Sequence, residues 1–329
     1  MLIPLRVKLF GLLLLTLGTL SFLLSLGVGS FSIPIETLWS LLLEQGASIE
    51  RSVVVELRLP RALSAMVVGG QLALAGCLMQ ALLRNPLADP YVLGVSGGAS
   101  VAALSAIMLG LGGFWVSGSA LVGALLNMLL VFGLVQRSGR WSSGRLLLTG
   151  IVIASGWGAM VSFLMAISEG AALKGMLFWL MGDFSHSGYP GWNSLVLGLG
   201  LVLSMAAARP LNILLRGELQ ARALGVDARP LQISLYLLTS ILTASAVTQA
   251  GSIGFLGLVV PHLVRLVIGS DHRWLLPCSV AAGAVLLLLA DMLARTLIAP
   301  QQLPVGVITA LLGVPLFLIL LNRDSRDSH

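Results

Sequence analysis

Long unbroken runs of apolar residues alternate with short polar connections along this chain. The runs fall near 9–28, 62–83, 91–112, 115–136, 146–167, 191–208, 231–250, 253–269, 274–294 and 303–321. Hydrocarbon offers a peptide backbone no hydrogen bonds, so a spanning segment must be a helix or part of a closed barrel. The apolar positions are continuous rather than alternating, and about 20 of them suffice to cross a bilayer. The pattern predicts an all-α, polytopic membrane protein with about ten transmembrane helices in one domain over residues 1–329. Arg6 and Lys8 precede the first run, which is longer than the roughly 7–15 residues of a signal-peptide core and lacks a clean small-x-small site after it. It reads as a retained first helix.

Composition agrees with this reading. Of the 329 residues 57% are hydrophobic and 10% charged, against about 25% charged in a soluble domain; the mean hydropathy is +1.00. The net charge of +6 does not point to nucleic acid, because the basic residues form no single patch. They sit in short connections, as the positive-inside bias requires. With a cytoplasmic amino terminus, the inside receives Arg6, Lys8, Arg84, Arg137, Arg140, Arg145, Arg209, Arg216, Arg222, Arg229, Arg265, Arg273, Arg323 and Arg326. The outside receives Arg51, Arg58, Arg61, Lys174 and Arg295, so fourteen stand against five.

Three connections are longer than turns. Residues 29–57 form an outside segment carrying Glu36, Glu44, Glu50 and Glu56. Residues 170–182 are apolar and aromatic but too short to span, and suit a short periplasmic helix at the outer interface. Residues 209–229 form an inside segment in which Glu218–Leu224 is a good helix former stopped by Gly225, with Pro230 in the first turn of the next span. Asn85-Pro-Leu-Ala-Asp-Pro90 reads as a tight inside turn in which Pro86 ends the second helix, Asp89 caps the third and Pro90 takes its first position.

Few residues carry chemistry. Gly94-Val-Ser96-Gly97 matches the short signature of intramembrane serine proteases, and His262 is the one intramembrane base available to it; packed membrane helices are rich in such small residues without any catalysis. No Gly-Lys pair occurs, so a P-loop is excluded. Cys77 and Cys278 have neither metal spacing nor a disulfide framework. Asp291 lies inside an apolar run and would suit an ion-coupled secondary transporter, but Arg295 one turn later is placed to neutralise it. Arg58, Arg61 and Arg295 stand against the inside bias; an acidic partner at the outer mouth and snorkelling at helix ends are both open readings. Small-residue stripes recur at Gly69/Ala73/Gly76, Gly150/Ala154/Gly158 and Gly306/Ala310/Gly313, where helices would approach closely.

A series of motifs resembles the FecCD/BtuC-type iron-chelate/cobalamin permease family of ABC importers. They are Arg58-Leu-Pro-Arg61, Gly76-Cys-Leu-Met-Gln80, Asn85 to Pro90 with Leu93-Gly-Val-Ser96, Gly251 through His262, Arg265, Asp271-His-Arg273, Leu289-Ala-Asp291 with Arg295, and Leu303-Pro-Val-Gly306 with Thr309 and Gly313 to Phe317. They run in order over nearly the whole chain. The resemblance implies a homodimer around a central pathway, two ATPase subunits below it and a periplasmic substrate-binding protein above. It implies docking of that protein at Arg58, Arg61 and Arg295, and ATPase coupling at Arg216, Gly217, Glu218, Arg222, Leu224 and Gly225. It also implies a cytoplasmic gate at Ser142, Ser143 and Gly144, and pathway or dimer packing at Gly150, Ala154, Gly158, Gly306, Ala310 and Gly313. ATP and magnesium would be bound by the ATPase partner, with no catalytic residue, metal or cofactor in this chain. The cargo class that follows is a ferric siderophore, haem or cobalamin.

Overall fold

The computed structural model describes residues 3–29, 33–34, 38, 49–137, 142–185 and 187–327, with side chains to Ile319. Glu36, Glu44 and Arg140 lie outside the described residues. Helices dominate and no strand occurs among the described residues: α1 (Leu5–Gly27), α2 (Ile49–Leu83), α3 (Val95–Met108), α4 (Gly113–Arg137), α5 (Ser143–Ile167), α6 (Gly170–Met181), α7 (Gly191–Ala206), α8 (Ala208–Leu214), α9 (Glu218–Ala223), α10 (Ala228–Ala250), α11 (Leu256–Ile268), α12 (His272–Thr296) and α13 (Val305–Asp327).

Each of the ten apolar runs contains a helix. Six of them, α1, α2, α4, α5, α10 and α12, are long and apolar enough to cross a bilayer, and seven if α7 and α8, which meet at a 58° bend, form one broken span. Of the others, α3 and α11 are shorter than the runs suggested. The thirteen residues of α11 extend about 20 Å, less than the roughly 30 Å hydrocarbon core. The extended segment before it has its polar backbone satisfied by protein: Ile253 N–H donates to Tyr91 Oη at 3.0 Å, and Asp183 N–H to the Ala250 carbonyl at 2.9 Å. Irregular backbone is tolerated at depth on that condition. The third helix starts at Val95 rather than Pro90, because Asp89 caps a single 3₁₀ turn over Pro90–Leu93 and Gly94, at φ 75°, ends it.

The second helix begins at Ile49, well before its apolar run, so part of the expected 29–57 connection is helical. Pro60 has no N–H to offer the carbonyl one turn back. The preceding turn, Val53–Arg58, widens to π geometry, with Leu59 N–H donating to Val54 O. At the other end Arg84 adopts φ 49° and Asn85 N–H returns to Gln80 O, a Schellman closure made by arginine instead of glycine.

From Pro60 onward almost all of α2 is buried, with α10, α11 and α12 packed around it. Close approach is bought by glycine: a Cβ on Gly69 would run into the Gly283 carbonyl of α12, and one on Gly76 into that of Gly257 in α11. α3 packs on α4 and α5, whereas α1 lies outside, chiefly on α12. Such packing, not hydrophobic exclusion, holds helices together in lipid.

Candidate functional site

At the end of the bundle where α1 finishes, two guanidiniums, Arg61 and Arg295, hold one carboxylate, and Arg58 lies close by. The widened turn and Pro60 set Arg58 and Arg61 on the buried side of α2, and Asp291 and Arg295 follow one turn apart on α12. Asp291 is fully buried; Arg58, Arg61 and Arg295 are 6%, 8% and 8% exposed. Arg61 Nε donates to Asp291 Oδ1 at 2.9 Å and Oδ2 at 3.1 Å, its Nη2 lies 2.9 Å from Oδ1, and Arg295 Nε forms an ion pair with Oδ2 at 3.1 Å. The remaining donors reach across the bundle. Arg61 Nη1 meets Gln302 Oε1 at 2.8 Å, Arg295 Nη2 meets Ser25 Oγ at 2.9 Å, and Arg58 Nη1 donates to the Leu26 and Gly27 carbonyls at 2.7 and 2.9 Å.

The cluster therefore ties the end of α1, the start of α2, the end of α12 and the 297–304 loop together. The expected pairing of Asp291 with Arg295 is present, and Arg61 joins it. Both oxygens of the Asp291 carboxylate are engaged by guanidiniums, which leaves it poorly placed to coordinate a sodium ion. Three positive charges against one negative leave this corner with an excess of two, which favours an anionic partner. Ser25 and Gln302 were invisible to sequence reasoning, because they meet the arginines only through tertiary packing.

At the end of the bundle that the basic residues assign to the cytoplasm, the chain bends from α7 into α8 and then α9. Asn212 on α8 donates to Asp271 Oδ1 at 2.8 Å and its own Oδ1 accepts the His272 N–H at 3.0 Å, fastening the elbow to the start of α12. Asp271 caps α12, and the Arg273 guanidinium bound to it holds its carboxyl down to about 2, helped by Asn212. Glu218 receives Arg84 of the α2 terminus and Gln232 of α10, each at 3.1 Å. Only Ala221 of α9 is buried.

The outward side of this elbow carries Arg216, Glu218, Arg222, Leu224 and Gly225 exposed and Gly217 partly so. Gly225, at φ 77°, stops the helix as expected. Leu219, which sequence reasoning passed over, is 85% exposed beside Leu224 at 60%. Ser142 caps α5 through the Arg145 N–H at 3.3 Å and Ser143 Oγ donates to the Leu82 carbonyl at 2.9 Å, so the proposed gate is anchored to the end of α2. A Cβ on Gly144 would meet nothing within 4 Å.

The small-residue stripes divide. Gly150 abuts Val92 and Leu93, Ala154 faces Gly94, Gly306 abuts Met181 and Gly313 abuts Phe255, all within this subunit. Gly158 faces open space and Ala310 is half-buried. Ser96 lies on α3, which packs chiefly on α4 and α5, whereas His262 lies on α11 against α2 and α12. No cluster of three metal-ligating side chains occurs among the described residues.

Comparison with known proteins agrees in extent with this architecture. The profile of the FecCD transport family matches residues 14–323. The hemin transport system permease protein HmuU of Yersinia pestis is 42% identical over 315 residues, covering 92% of each chain. The vitamin B12 import system permease protein BtuC of Salmonella typhi is 40% identical over 277 residues, 83% of this chain and 84% of its own. The solved structure of a metal-chelate type ABC transporter in an inward-facing conformation superposes with a TM-score of 0.86 at 33% identity, covering 96% of this chain and 99% of the other.

Proposed function

Because the chain belongs to the FecCD transport family, we propose that it is the permease subunit of an ATP-binding-cassette importer carrying an iron–siderophore complex, haem or cobalamin from periplasm to cytoplasm. It is a multi-pass membrane protein, placed in this reading in a bacterial inner membrane. Two copies would enclose the pathway, with the exposed apolar face of α5, including Ile151, Val152 and Met160, available to meet the second. The chemistry would belong to separate ATPase subunits that bind ATP and magnesium, and a periplasmic binding protein would deliver cargo at the positive outer corner.

The observation that carries this reading is the elbow. Leu219 on the short helix α9 and Leu224 just after it stand in the open, and the other side of this elbow is fastened to α2 and α10 through Glu218 and, by way of α8, to α12. Exposed leucines of this kind suit an ATPase groove, and the fastenings give a docked motor three levers on the spanning helices. Arg216 and Arg222 add charge at the rim.

Reconstitution with the cognate ATPase and binding protein tests it. Uptake of chelate into proteoliposomes should require ATP hydrolysis. Leu219→Glu should lower ATPase co-purification about tenfold or more, the loss expected for a buried anchor, without lowering the unfolding temperature. Uptake that persists without the ATPase and follows a proton or sodium gradient would overturn the reading.

A further inference from the structure

The peripheral placement of α1 leaves a groove of about 570 Å³ between it, α2 and α12, walled by Gly11, Leu15 and Phe22 of α1, Met66 of α2, and Pro277 and Ala281 of α12. Its one hydroxyl, Thr19 Oγ1, is engaged with the Leu15 carbonyl at 2.9 Å, so the wall offers water nothing and an apolar cavity of this kind stays dry. An empty groove would forfeit the dispersion contacts of every side chain lining it. From Gly11 to Phe22 the groove runs about 17 Å at 1.5 Å per residue, close to the roughly 15 Å of hydrocarbon in one leaflet. A single acyl chain fits.

The mouths of the groove differ. Helical periodicity places Lys8 one turn below Gly11 on the lining stripe of α1 (8, 11, 15, 19, 22), and Arg273 with Trp274 one turn below Pro277 on that of α12. Lys8 is exposed, whereas Arg273 shares its charge with Asp271 at 2.6 Å. That leaves Lys8 as the uncommitted cation at this mouth, and an exposed lysine suits a phosphate headgroup at the membrane surface. At the outer mouth Arg58 and Arg295 are turned onto the Ser25, Leu26 and Gly27 positions that end α1. We propose that the groove is a lipid site, holding one acyl chain of an anionic phospholipid of the cytoplasmic leaflet with its phosphate at Lys8. This rests on the cytoplasmic amino terminus read from the basic residues, and not on the cargo or the ATPase.

The test uses the full chain in phosphatidylcholine nanodiscs doped with phosphatidylglycerol carrying a mid-chain diazirine, or with the matching phosphatidylcholine probe. The phosphatidylglycerol probe should label residues 11–22 and 277–285 about fivefold more than the exposed apolar face of α4 at Val122, Leu126 and Leu129, the preference one lysine confers near an anionic headgroup. Lys8→Glu should reduce groove labelling to that of the phosphatidylcholine probe. Gly11→Leu, whose side chain would enter open space, should lower labelling by both probes while α4 labelling holds. Labelling no stronger than on α4, or equal for both probes and indifferent to Lys8→Glu, overturns the proposal, as does cross-linking of the groove to a second protein chain. The readout is labelling, so a failed uptake assay leaves it standing.

Discussion

Asp291 and Arg61 are 230 positions apart in sequence and 2.9 Å apart in space, joining α2 to α12. With Arg295 completing the pair, a charge that would be prohibitive in hydrocarbon becomes a fastening. Removing the carboxylate would strand two guanidiniums in a buried site. Asp291→Ala is expected to destabilise the protein by about 3–5 kcal/mol, read as a lowered unfolding temperature in detergent. A double-mutant cycle of Arg61→Met with Asp291→Asn should show a coupling of about 1 kcal/mol or more; additive effects would dissolve the pair as an energetic unit.

The same chemistry should be worth little at the other end. Arg84 and Glu218 meet at 3.1 Å with about a third and nearly half of their side chains exposed, and solvent screens such pairs to about 0–1 kcal/mol. Glu218→Ala is therefore expected to change the unfolding temperature slightly while lowering ATP-coupled uptake, because it releases the elbow from α2 and α10. Unchanged uptake would remove Glu218 from the coupling route.

Docking at the outer corner predicts a salt signature. Arg58→Gln should weaken association with the cognate binding protein more at low ionic strength than at high, mainly through the association rate. Surface-plasmon binding at two salt concentrations reads this directly, and equal affinities at both would reject the docking role.

Packing sets a further contrast. Gly69→Ala drives a methyl into the Gly283 backbone, which has no room to give; overpacking of this kind costs about 1–3 kcal/mol or more. Gly118→Ala, in open space within α4, should be neutral or stabilise by up to about 1 kcal/mol through helix propensity. Yield of monodisperse protein and unfolding temperature distinguish the two.

Asp271 lies outside the spanning segments and sits near 2, below its ordinary 3.8, chiefly through Arg273. A depressed carboxyl contributes stability that is complete above pH 3.8 and lost as pH falls toward 2. The difference in unfolding temperature between the parent and Asp271→Asn should be constant from pH 7 to about 5 and shrink below it. A constant difference down to pH 2.5 would show that the ion pair does not form.

Hydrophobic patterning alone determined the class of this protein, the approximate place of its helices, the elbow with its stop at Gly225 and the pairing of Asp291 with Arg295, because lipid permits few backbone solutions and neighbours one turn apart on a helix must meet. Ordered motifs carried the family. Tertiary structure alone decided that Arg61 completes the Asp291 clamp, that Ser25 and Gln302 belong to it, and that Asn212 fastens the elbow to α12, since such partners lie tens to hundreds of residues apart and nothing local marks them. It also decided where helices are cut short. Pro90 promised a long third helix and the run from 253 a long eighth span, but a local turn closed at Gly94 cuts the first, and the segment before Leu256 is shaped by other parts of the same chain, such as the Tyr91 hydroxyl that receives the Ile253 N–H.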